Sequence, residues 1–320
     1  MESIKKMMVQ KDIKVDIILA SYNSNGYIKE QLQSILQQTY KNLRVLIRDD
    51  GSSDDTVEII QEIIKSDERV YFINDGFPSN GVGENFKILL KHCESKYVLL
   101  SDQDDVWLPE KVATLVEFAE KNFKDEEPSI AYAPGRVVDS VLIDTGVLTN
   151  YKNKAKNLRD IFLMNGGIQG CAMIINKALY KKALEKNIFW YMHDQVLTLF
   201  ALTFGKTHFI KKPLFLYRQH SFNVVGYNSS SLVMKLKKYL LCKSTTFLIS
   251  KESYELFKIF YRYYNTEMSG ENRNLMNKII KCKDGSIVLM LYFILRNNIT
   301  LNDSLLRALI KCCIAKKIVE

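Results

Sequence analysis

Short apolar runs alternate with segments of helical periodicity through the first hundred residues. The strand-like runs cover residues 14–20, 43–47, 70–73 and 97–100, and the helical patterns cover residues 27–38, 54–65 and 85–92. Apolar runs rich in β-branched residues are typical of strands, and apolar positions three or four residues apart are typical of helices. Parallel strands need a crossover connection that is usually helical, so these units predict an α/β fold with a Rossmann-like, mostly parallel sheet flanked by helices.

The pattern is less regular in the rest of the chain. Its predicted elements are a helix at 108–123, an acidic surface loop at 125–128, a Gly-rich turn at 165–170, a strand at 171–175 and a helix at 194–204. Two apolar stripes at helical spacing follow, formed by Leu232, Leu236, Tyr239 and Leu240 and by Leu305, Leu306, Leu309, Ile310 and Cys313. Residues 228–320 are therefore expected to form a helical C-terminal extension.

Polar clusters follow three of the predicted strands. The first consists of Ser21, Tyr22 and Asn23, the second of Asp49 and Asp50, and the third of Asp102, Asp104 and Asp105. In an open parallel sheet, ligands bind beyond the carboxyl ends of the strands. All three clusters are expected at that edge, which makes it the candidate functional site.

The third cluster places three carboxylates within four residues, in the segment LLSDQDDVW. Carboxylates this close repel one another unless a cation or strong hydrogen-bond donors neutralise them. Oxygen ligands favour Mg²⁺ or Mn²⁺, and Mg²⁺ commonly combines one or two carboxylates with the phosphates of a substrate. The segment therefore predicts a divalent cation with a diphosphate substrate; a solvated acidic turn that caps the following helix is the alternative.

The second cluster stands before a tight turn in the segment RDDGSSDD. Gly51 permits the turn, and the serines after it can cap the next helix. Capping does not explain Asp49 and Asp50, which precede the turn and are suited to accept hydrogen bonds from the N–H groups of a base. Tyr22 is suited to stack on that base, with an ordinary surface tyrosine as the alternative.

The net charge of +9 lies entirely in the C-terminal segment. Residues 228–320 hold 16 basic and 7 acidic side chains, whereas residues 1–227 hold 29 of each. A neutral body without a basic, aromatic-interleaved patch disfavours nucleic-acid binding. A non-catalytic polyanion-binding protein with a basic tail nevertheless stays open as an alternative function.

Several other classes of protein lack their sequence signals. The segment GVGENF has Phe86 where a dinucleotide-binding fingerprint needs its last glycine, and the six cysteines and four histidines form no zinc-binding motif. No apolar run approaches the roughly 20 residues of a membrane-spanning helix, and the N-terminus does not resemble a secretory signal. A cytoplasmic protein is expected.

An ordered set of motifs resembles a known family. VDIILASYNSNGYIKEQLQSILQQTYKNLRVLIRDDGSSDDT, NGVGENF and LLSDQDDVWLPEK are similar to the nucleotide-sugar domain of family 2 glycosyltransferases with the GT-A fold. IQGCAMIINKALY, MHDQV and PLFLYRQHSFNVVG resemble a bacterial polysaccharide branch that includes rhamnosyltransferases. The resemblance covers about residues 13–227. It implies a donor-binding half at 1–105 and an acceptor-binding half at 106–227 of one domain, followed by the extension at 228–320.

The resemblance also implies roles for individual residues. The donor nucleotide would contact Ser21, Tyr22, Asn23, Asp49, Asp50, Asn85 and Asp102, and the loop around the diphosphate and acceptor would contain Gln169, Gly170, Cys171, Arg218 and His220. Asp104 and Asp105 would bind the metal, with His220 as a further candidate ligand. Asp194 matches the catalytic base, for which simple helix capping is the alternative.

The implied activity is inverting, metal-dependent sugar transfer with Mn²⁺ or Mg²⁺. The donor would be a dTDP- or UDP-linked rhamnose or hexose, and the acceptor a lipid-linked glycan in cell-surface or capsular polysaccharide synthesis. The lysine-rich extension matches none of these motifs: its Leu and Lys stripes either pack on the body with the lysines in solvent, or contact the inner face of the membrane, where lysines meet anionic lipids. Gln195 and Val196 replace aromatic residues that are frequent in the family, so the acceptor stays open. A Mg²⁺-dependent phosphatase or nucleotidyltransferase would share the carboxylates but gives the other motifs no role.

Overall fold

The computed structural model describes residues 13–77, 80–150, 155–220, 247–282, 286–315 and 317–319. The strands are β1 (Val15–Ser21), β2 (Leu43–Asp49), β3 (Val70–Phe72), β4 (Tyr97–Ser101), β5 (Val106–Trp107), β6 (Ser129–Tyr132), β7 (Gly135–Val138), β8 (Asp144–Leu148), β9 (Met173–Asn176), β10 (Lys206–Phe209), β11 (Phe215–Arg218), β12 (Phe247–Ile249) and β13 (Lys317–Val319). The helices are α1 (Ile28–Leu36), α2 (Thr56–Ser66), α3 (Val82–Lys91), α4 (Lys111–Asn122), α5 (Lys177–Leu184), α6 (His193–Phe204), α7 (Lys251–Tyr264), α8 (Gly270–Lys281), α9 (Ile287–Arg296) and α10 (Leu305–Ile314).

A seven-stranded sheet forms the centre of the fold, in the order β10-β6-β9-β4-β1-β2-β3. Strand β9 runs antiparallel to β4 and β6, and the other neighbouring strands are parallel. Every residue of β4 is buried, as expected for strands covered by helices on both faces. The α/β fold with a mostly parallel sheet is thereby confirmed, and β1, β2 and β4 end side by side.

A second sheet of four strands, in the order β5-β11-β7-β8, begins with β5, shortly after the end of β4. Strand β5 follows the acidic segment directly and pairs antiparallel with β11, so that Trp107 stands opposite Phe215. Strand β11 also pairs in parallel with β7. These short strands were not predicted, yet they fold residues 215–218 back onto the acidic segment.

The extension contains the predicted helices, of which α10 carries the second apolar stripe. The first stripe lies outside the described residues. Side chains of Ser250, Ser269, Ser286 and Ser304 accept hydrogen bonds that cap the starts of α7 to α10. Strands β12 and β13 pair in parallel and connect residues 247–249 with residues 317–319. This pair was not predicted. Within the described ranges, none of the helices has the length and apolar character to cross a membrane.

Asp16 fixes the start of the central sheet. Its carboxylate is fully buried and accepts hydrogen bonds from Arg44 Nε and Nη2 at 2.8 and 3.0 Å. The backbone N–H groups of Glu94 and Ser95 donate to it at 3.0 and 3.1 Å. Burial raises the pKa of Asp16, but these donors outweigh burial and hold the pKa below its ordinary value of 3.8. One carboxylate therefore ties β1 to β2 and to the turn before β4.

We expect Asp16→Asn to lower the free energy of unfolding by about 3 kcal/mol at pH 7, because it breaks a buried, charge-assisted pair. The lowered pKa means that the carboxylate stabilises the fold above about pH 4 and ceases to do so as the pH falls through its folded-state pKa. Urea titrations at several pH values would measure this. Asp67→Asn is the control, since the Asp67–Arg69 pair is partly exposed and should contribute less than about 1 kcal/mol. Equal losses in both variants would contradict the prediction.

Candidate active site

The acidic loop, residues 102–105, joins β4 to β5 and is bound to the end of β1. The Tyr22 N–H donates to Gln103 Oε1 at 2.6 Å, and Gln103 Nε2 donates to the Tyr22 carbonyl at 3.0 Å. Through these two bonds the Gln103 side-chain amide pairs with the Tyr22 backbone, as a residue of a neighbouring strand would. They bring the first and third predicted clusters together at the carboxyl edge of the sheet.

Asp49 links the ends of β1 and β2. Its Oδ2 accepts from Ser21 Oγ at 2.8 Å and from Ser52 Oγ at 2.6 Å. Its Oδ1 accepts from the N–H groups of Gly51 and Ser52 at 3.0 and 2.7 Å. Gly51 has a φ of +90°, which L side chains rarely adopt, so the turn depends on this glycine. Both oxygens of Asp49 thus bind the protein's own turn.

Asp50 and Asn85 lie beneath the same rim, and both are buried. Arg48 Nη1 donates to Asp50 Oδ1 at 3.3 Å, while its Nε and Nη2 donate to Asp75 at 3.1 and 3.2 Å. Asn85 Nδ2 donates to the Arg48 carbonyl at 3.2 Å, and its Oδ1 has no hydrogen-bond partner among the described residues. Arg48 therefore joins these two predicted nucleotide-binding residues.

Tyr22 stands at the rim with 56% of its surface exposed, so its ring is accessible for stacking. Asn23 next to it adopts a φ of +46°, which Asn tolerates better than most residues. The Asn23 side chain accepts a hydrogen bond from the Ser53 N–H at 2.8 Å, and the Asn23 backbone N–H donates to Ser52 Oγ at 2.8 Å. Asn23 thereby holds Tyr22 against the turn after β2.

The end of β11 clamps the acidic loop. Arg218 is buried; its Nε donates to the Asp104 carbonyl at 2.9 Å, and its backbone N–H donates to Asp105 Oδ1 at 3.3 Å. Its guanidinium also pairs with Glu30. His220 Nε2 lies 2.8 Å from Asp104 Oδ2, and its ring stacks on Tyr27 with centroids 4.7 Å apart. The YRQH motif and the acidic loop therefore form one structure.

Asp102, Asp105 and Cys171 form the deeper part of this cluster, with their candidate ligand atoms all within 4.8 Å of one another. Burial, followed by the charge of Asp104, raises the pKa of Asp102 to about 7. The same two causes raise the pKa of Asp105 well above its ordinary value. Asp105 is 1% exposed, and its Oδ2 lacks a hydrogen-bond partner in the described part of the chain. The Cys171 thiol hydrogen-bonds to the same carboxyl group.

Lys111 is a buried cation that the sequence did not single out. Its Nζ donates to the Cys171 carbonyl at 2.6 Å and lies 3.6 Å from the centroid of the Trp107 ring. Burial lowers the pKa of Lys111 to about 7, although the charges of Asp105 and Asp102 oppose that shift. The only sequence signal was its place directly after the acidic segment, at the start of a helix. A lysine there is ordinarily expected in solvent.

The residues of the acidic loop fit a divalent cation. Asp105 Oδ2 needs a partner, and the close approach of Asp104 and His220 presents an oxygen and a nitrogen ligand side by side. Carboxylate oxygens suit Mg²⁺ and Mn²⁺, whereas an imidazole ligand is unusual for Mg²⁺. The donor set with His220 therefore favours Mn²⁺.

Asp194 lies in the first turn of α6, with Gly167 packed against its backbone. Its Oδ1 accepts from the Gln195 N–H at 2.6 Å. Burial raises the pKa of Asp194 to about 6, although backbone hydrogen bonds from Gln195 and Gly167 partly offset it. Its negative charge contributes to the raised pKa of Asp102, so the two carboxylates are close enough to interact. The predicted base and the acidic loop thus belong to one site.

His193, the neighbour of Asp194, is part of the packing under the site. Its ring lies 3.7 Å from that of Phe86, and neither ring nitrogen has a partner among the described residues. Burial lowers its pKa to about 3, so the imidazole is neutral. Gly170 passes so close that a Cβ there would lie 2.2 Å from His193 Nε2. The predicted loop residues Gly170 and Cys171 are buried at this contact, and Gln169 beside them is partly exposed.

Helix α3 positions the segment that leads into α6, an arrangement that the sequence did not predict. Lys87 Nζ is buried and donates to the Ile188 carbonyl at 2.6 Å and to Glu84 Oε1 at 3.0 Å. Glu84 Oε1 also accepts from the Trp190 N–H at 2.8 Å. The segment before Asp194 is thereby fixed by a buried ion pair.

Gly167 is the closest backbone neighbour of Asp194 among the glycines: a Cβ there would lie 2.2 Å from the Asp194 carbonyl oxygen. We expect Gly167→Ala to lower the free energy of unfolding by about 2 kcal/mol, because backbone atoms must shift to make room. Gly166→Ala is a matched control, since a Cβ at Gly166 meets nothing within 4 Å. Urea titrations would compare the two variants, and equal stability would contradict the packing described.

The chain resembles known proteins in sequence and in structure. The family model Glycosyl transferase family 2 matches residues 16–183. The chain is 32% identical over 230 residues to dTDP-rhamnosyl transferase RfbG of Shigella flexneri, covering 66% of this chain and 75% of that protein. It is 36% identical over 106 residues to UDP-Glc:alpha-D-GlcNAc-diphosphoundecaprenol beta-1,3-glucosyltransferase WfaP of Escherichia coli, covering 33% of this chain and 41% of that protein.

Among solved structures, the chain matches S. aureus TarS 1-349 in complex with UDP-GlcNAc with a TM-score of 0.58 and 17% identity. The match covers 88% of this chain and 79% of that chain, and at this identity it supports the fold alone. The family model, in contrast, spans more than half of the chain, including β1, β2 and the acidic loop. The chain therefore belongs to glycosyl transferase family 2 and is a glycosyltransferase with the GT-A fold.

Proposed function

We propose that this enzyme is an inverting, metal-dependent transferase that moves rhamnose or another hexose from a dTDP- or UDP-sugar to a glycan in bacterial cell-surface or capsular polysaccharide synthesis. The observation that carries the proposal is the Gly-rich turn at 165–170, which packs against His193 and Asp194 and leads into Cys171, within 4.8 Å of the Asp102 and Asp105 ligand atoms. The names of the relatives, a dTDP-rhamnosyl transferase and a UDP-glucose-dependent glucosyltransferase, support the choice of donor. Family membership leaves the phosphatase, nucleotidyltransferase and polyanion-binding alternatives without support.

The donor nucleotide is proposed to bind across the ends of β1 and β2. The exposed ring of Tyr22 supports stacking on the base. Ser21, Asn23 and Asp49 hold the turns on which that ring stands, and Asp50 and Asn85 lie below them, joined through Arg48. In this proposal Asp49 acts by shaping the pocket, because its oxygens already bind the turn. Asp102 faces the ribose side of the donor.

The acidic loop is proposed to hold Mn²⁺ or Mg²⁺ through Asp104 and Asp105, with His220 as a further ligand. When bound, the cation acts as a Lewis acid that stabilises negative charge on the departing diphosphate. Arg218 contributes by fixing the loop backbone, since its guanidinium donates to the Asp104 carbonyl. Lys111 balances the buried charge behind the loop. The protein thus presents its carboxylates in a fixed arrangement despite their repulsion.

Asp194 is proposed to take the proton from the acceptor hydroxyl as that oxygen attacks the anomeric carbon. A pKa of about 6 leaves most of this carboxylate ionised at neutral pH, and a raised pKa makes it a stronger base than an ordinary aspartate. The carboxylate is partly exposed beside the Gly-rich turn, so Gln169, Gly170 and Cys171 are proposed to border the acceptor and the diphosphate.

A lipid-linked glycan is the proposed acceptor. One relative is named for an acceptor that carries a diphosphoundecaprenol group. The basic excess of residues 228–320 supports peripheral contact with the inner face of the membrane, where such an acceptor is found. The enzyme is accordingly proposed to work in the cytoplasm at that surface.

Asp194→Asn tests the base. We expect turnover to fall by at least about a thousandfold, since an amide cannot accept the proton, while donor binding changes less than about twofold. The assay is release of UDP or dTDP in the presence of GlcNAc-diphosphoundecaprenol, and donor binding is followed by the thermal shift that the sugar nucleotide produces. In the parent enzyme, activity should rise with pH through about 6, as Asp194 ionises. Full activity of the variant would remove Asp194 from this role.

Asp104→Asn tests the metal site. We expect the Mn²⁺ concentration that gives half of the maximal donor-induced thermal shift to rise by more than about tenfold, because one anionic ligand is lost. Asp125→Asn is the control, since Asp125 is exposed and pairs with Lys96 outside the site. An unchanged Mn²⁺ requirement in Asp104→Asn, or donor binding that ignores added metal, would contradict the proposed site.

A further inference from the structure

Helix α9 exposes an apolar surface, here called the α9 face, that consists of Val288, Leu289, Tyr292 and Leu295. Their exposed fractions are 73, 60, 58 and 55%. Scattered exposed apolar residues are normal in folded proteins, but neighbouring ones mark a surface that contacts something. The spacing makes these four residues neighbours, since positions 288, 292 and 295 are four and three residues apart on a helix.

The other side of α9 is already used by the fold. Met290, Phe293 and Ile294 are buried in the hydrophobic core. A helix that is apolar all round is ordinarily buried all round. The α9 sequence IVLMLYFILR contains a single charged residue, Arg296, at its end. The sequence therefore supplies α9 with a second apolar surface that packing within the described residues does not cover.

The charged residues near the α9 face indicate which kind of surface it contacts. Neither α9 nor α10 contains Asp or Glu, and between them stands Asp303, whose carboxylate lies 3.5 Å from Lys156 Nζ. Arg296 is exposed at the end of α9 and donates to the Tyr292 hydroxyl at 3.1 Å. Tyrosine and arginine place apolar parts in a lipid layer while their polar ends stay at the headgroups. An apolar surface with one arginine at its end, and without an acidic side chain on its own helix, is complementary to anionic phospholipid.

Helix length decides how α9 would meet the lipid. Ten residues of α-helix extend about 15 Å, half of a bilayer core, so α9 is too short to span it. We infer that the α9 face inserts shallowly into an anionic phospholipid surface, with the helix axis parallel to the membrane. The inference rests on the proposed function in one respect: a lipid-linked acceptor would be presented at that surface.

The test is flotation of the full chain with vesicles of phosphatidylcholine alone or mixed with phosphatidylglycerol. We expect the parent protein to float with the anionic vesicles and much less with the neutral ones. Tyr292→Ser should weaken binding severalfold, and the triple variant Val288→Ser, Tyr292→Ser, Leu295→Ser should weaken it by more than about tenfold, because apolar area leaves the lipid. Arg296→Gln should weaken binding to the anionic vesicles only.

Tyr71→Ser is the matched control. Tyr71 lies on β3, an edge strand of the central sheet, and is 48% exposed, so the same substitution removes a comparable side chain outside α9. It should leave flotation unchanged. Thermal unfolding of each variant must match the parent, which the exposure of these side chains makes the expected result.

Three outcomes would overturn the inference. They are failure of the parent protein to float at low salt, flotation of the triple variant equal to that of the parent, and a loss of flotation in Tyr71→Ser as large as in Tyr292→Ser. Dimers of the parent protein that become monomers in the triple variant, without vesicle binding, would instead assign the face to a second copy of the chain. Thermal shift by the donor with Mn²⁺ is independent of all these results, so it separates failure of this inference from failure of the proposed function.

Discussion

Repulsion among the carboxylates of the acidic loop is the constraint on which the site depends. Asp102, Asp104 and Asp105 lie close together because they fall within four consecutive residues after β4. Burial strengthens their repulsion by removing water. Cationic and polar groups lie against the loop: Lys111 from the start of the next helix, and Arg218 and His220 from the distant segment at the end of β11. The second sheet makes this contact possible, because β11 carries Arg218 and pairs with β5, which directly follows the acidic loop.

Burial has a second consequence at the same edge, because it sets the basicity of Asp194. A carboxylate in the first turn of a helix ordinarily has a low pKa, since the helix N-terminus favours negative charge. Here desolvation outweighs the backbone donors and raises the pKa to about 6. The close approach of Gly167 and the ion pair between Lys87 and Glu84 hold the segment that carries this partly exposed carboxylate in place. Packing thus makes a carboxylate of the first helical turn a candidate base.

The strands and helices of the first hundred residues were predictable, because buried parallel strands give continuous apolar runs and the helices between them have one apolar side. Strands β5, β7, β8 and β11 escaped prediction because they have two to five residues and little periodicity of their own. The polar clusters were also located correctly at the strand ends. Their contacts were not: Asp49 binds its own turn, and Asp50 and Asn85 are joined through Arg48, which no local pattern signalled.

The sequence by itself determined the α/β fold, the family and the edge of the sheet that carries the site, since strand order along the chain and motif order are local properties of the residues. Tertiary structure alone decided which groups neutralise the acidic loop, why Lys111 is buried and where the extension exposes its apolar surface. The physical reason is that charge and hydration depend on neighbours far away in the chain. A carboxylate, a lysine or an apolar helix has no fixed pKa or exposure until those neighbours are in place.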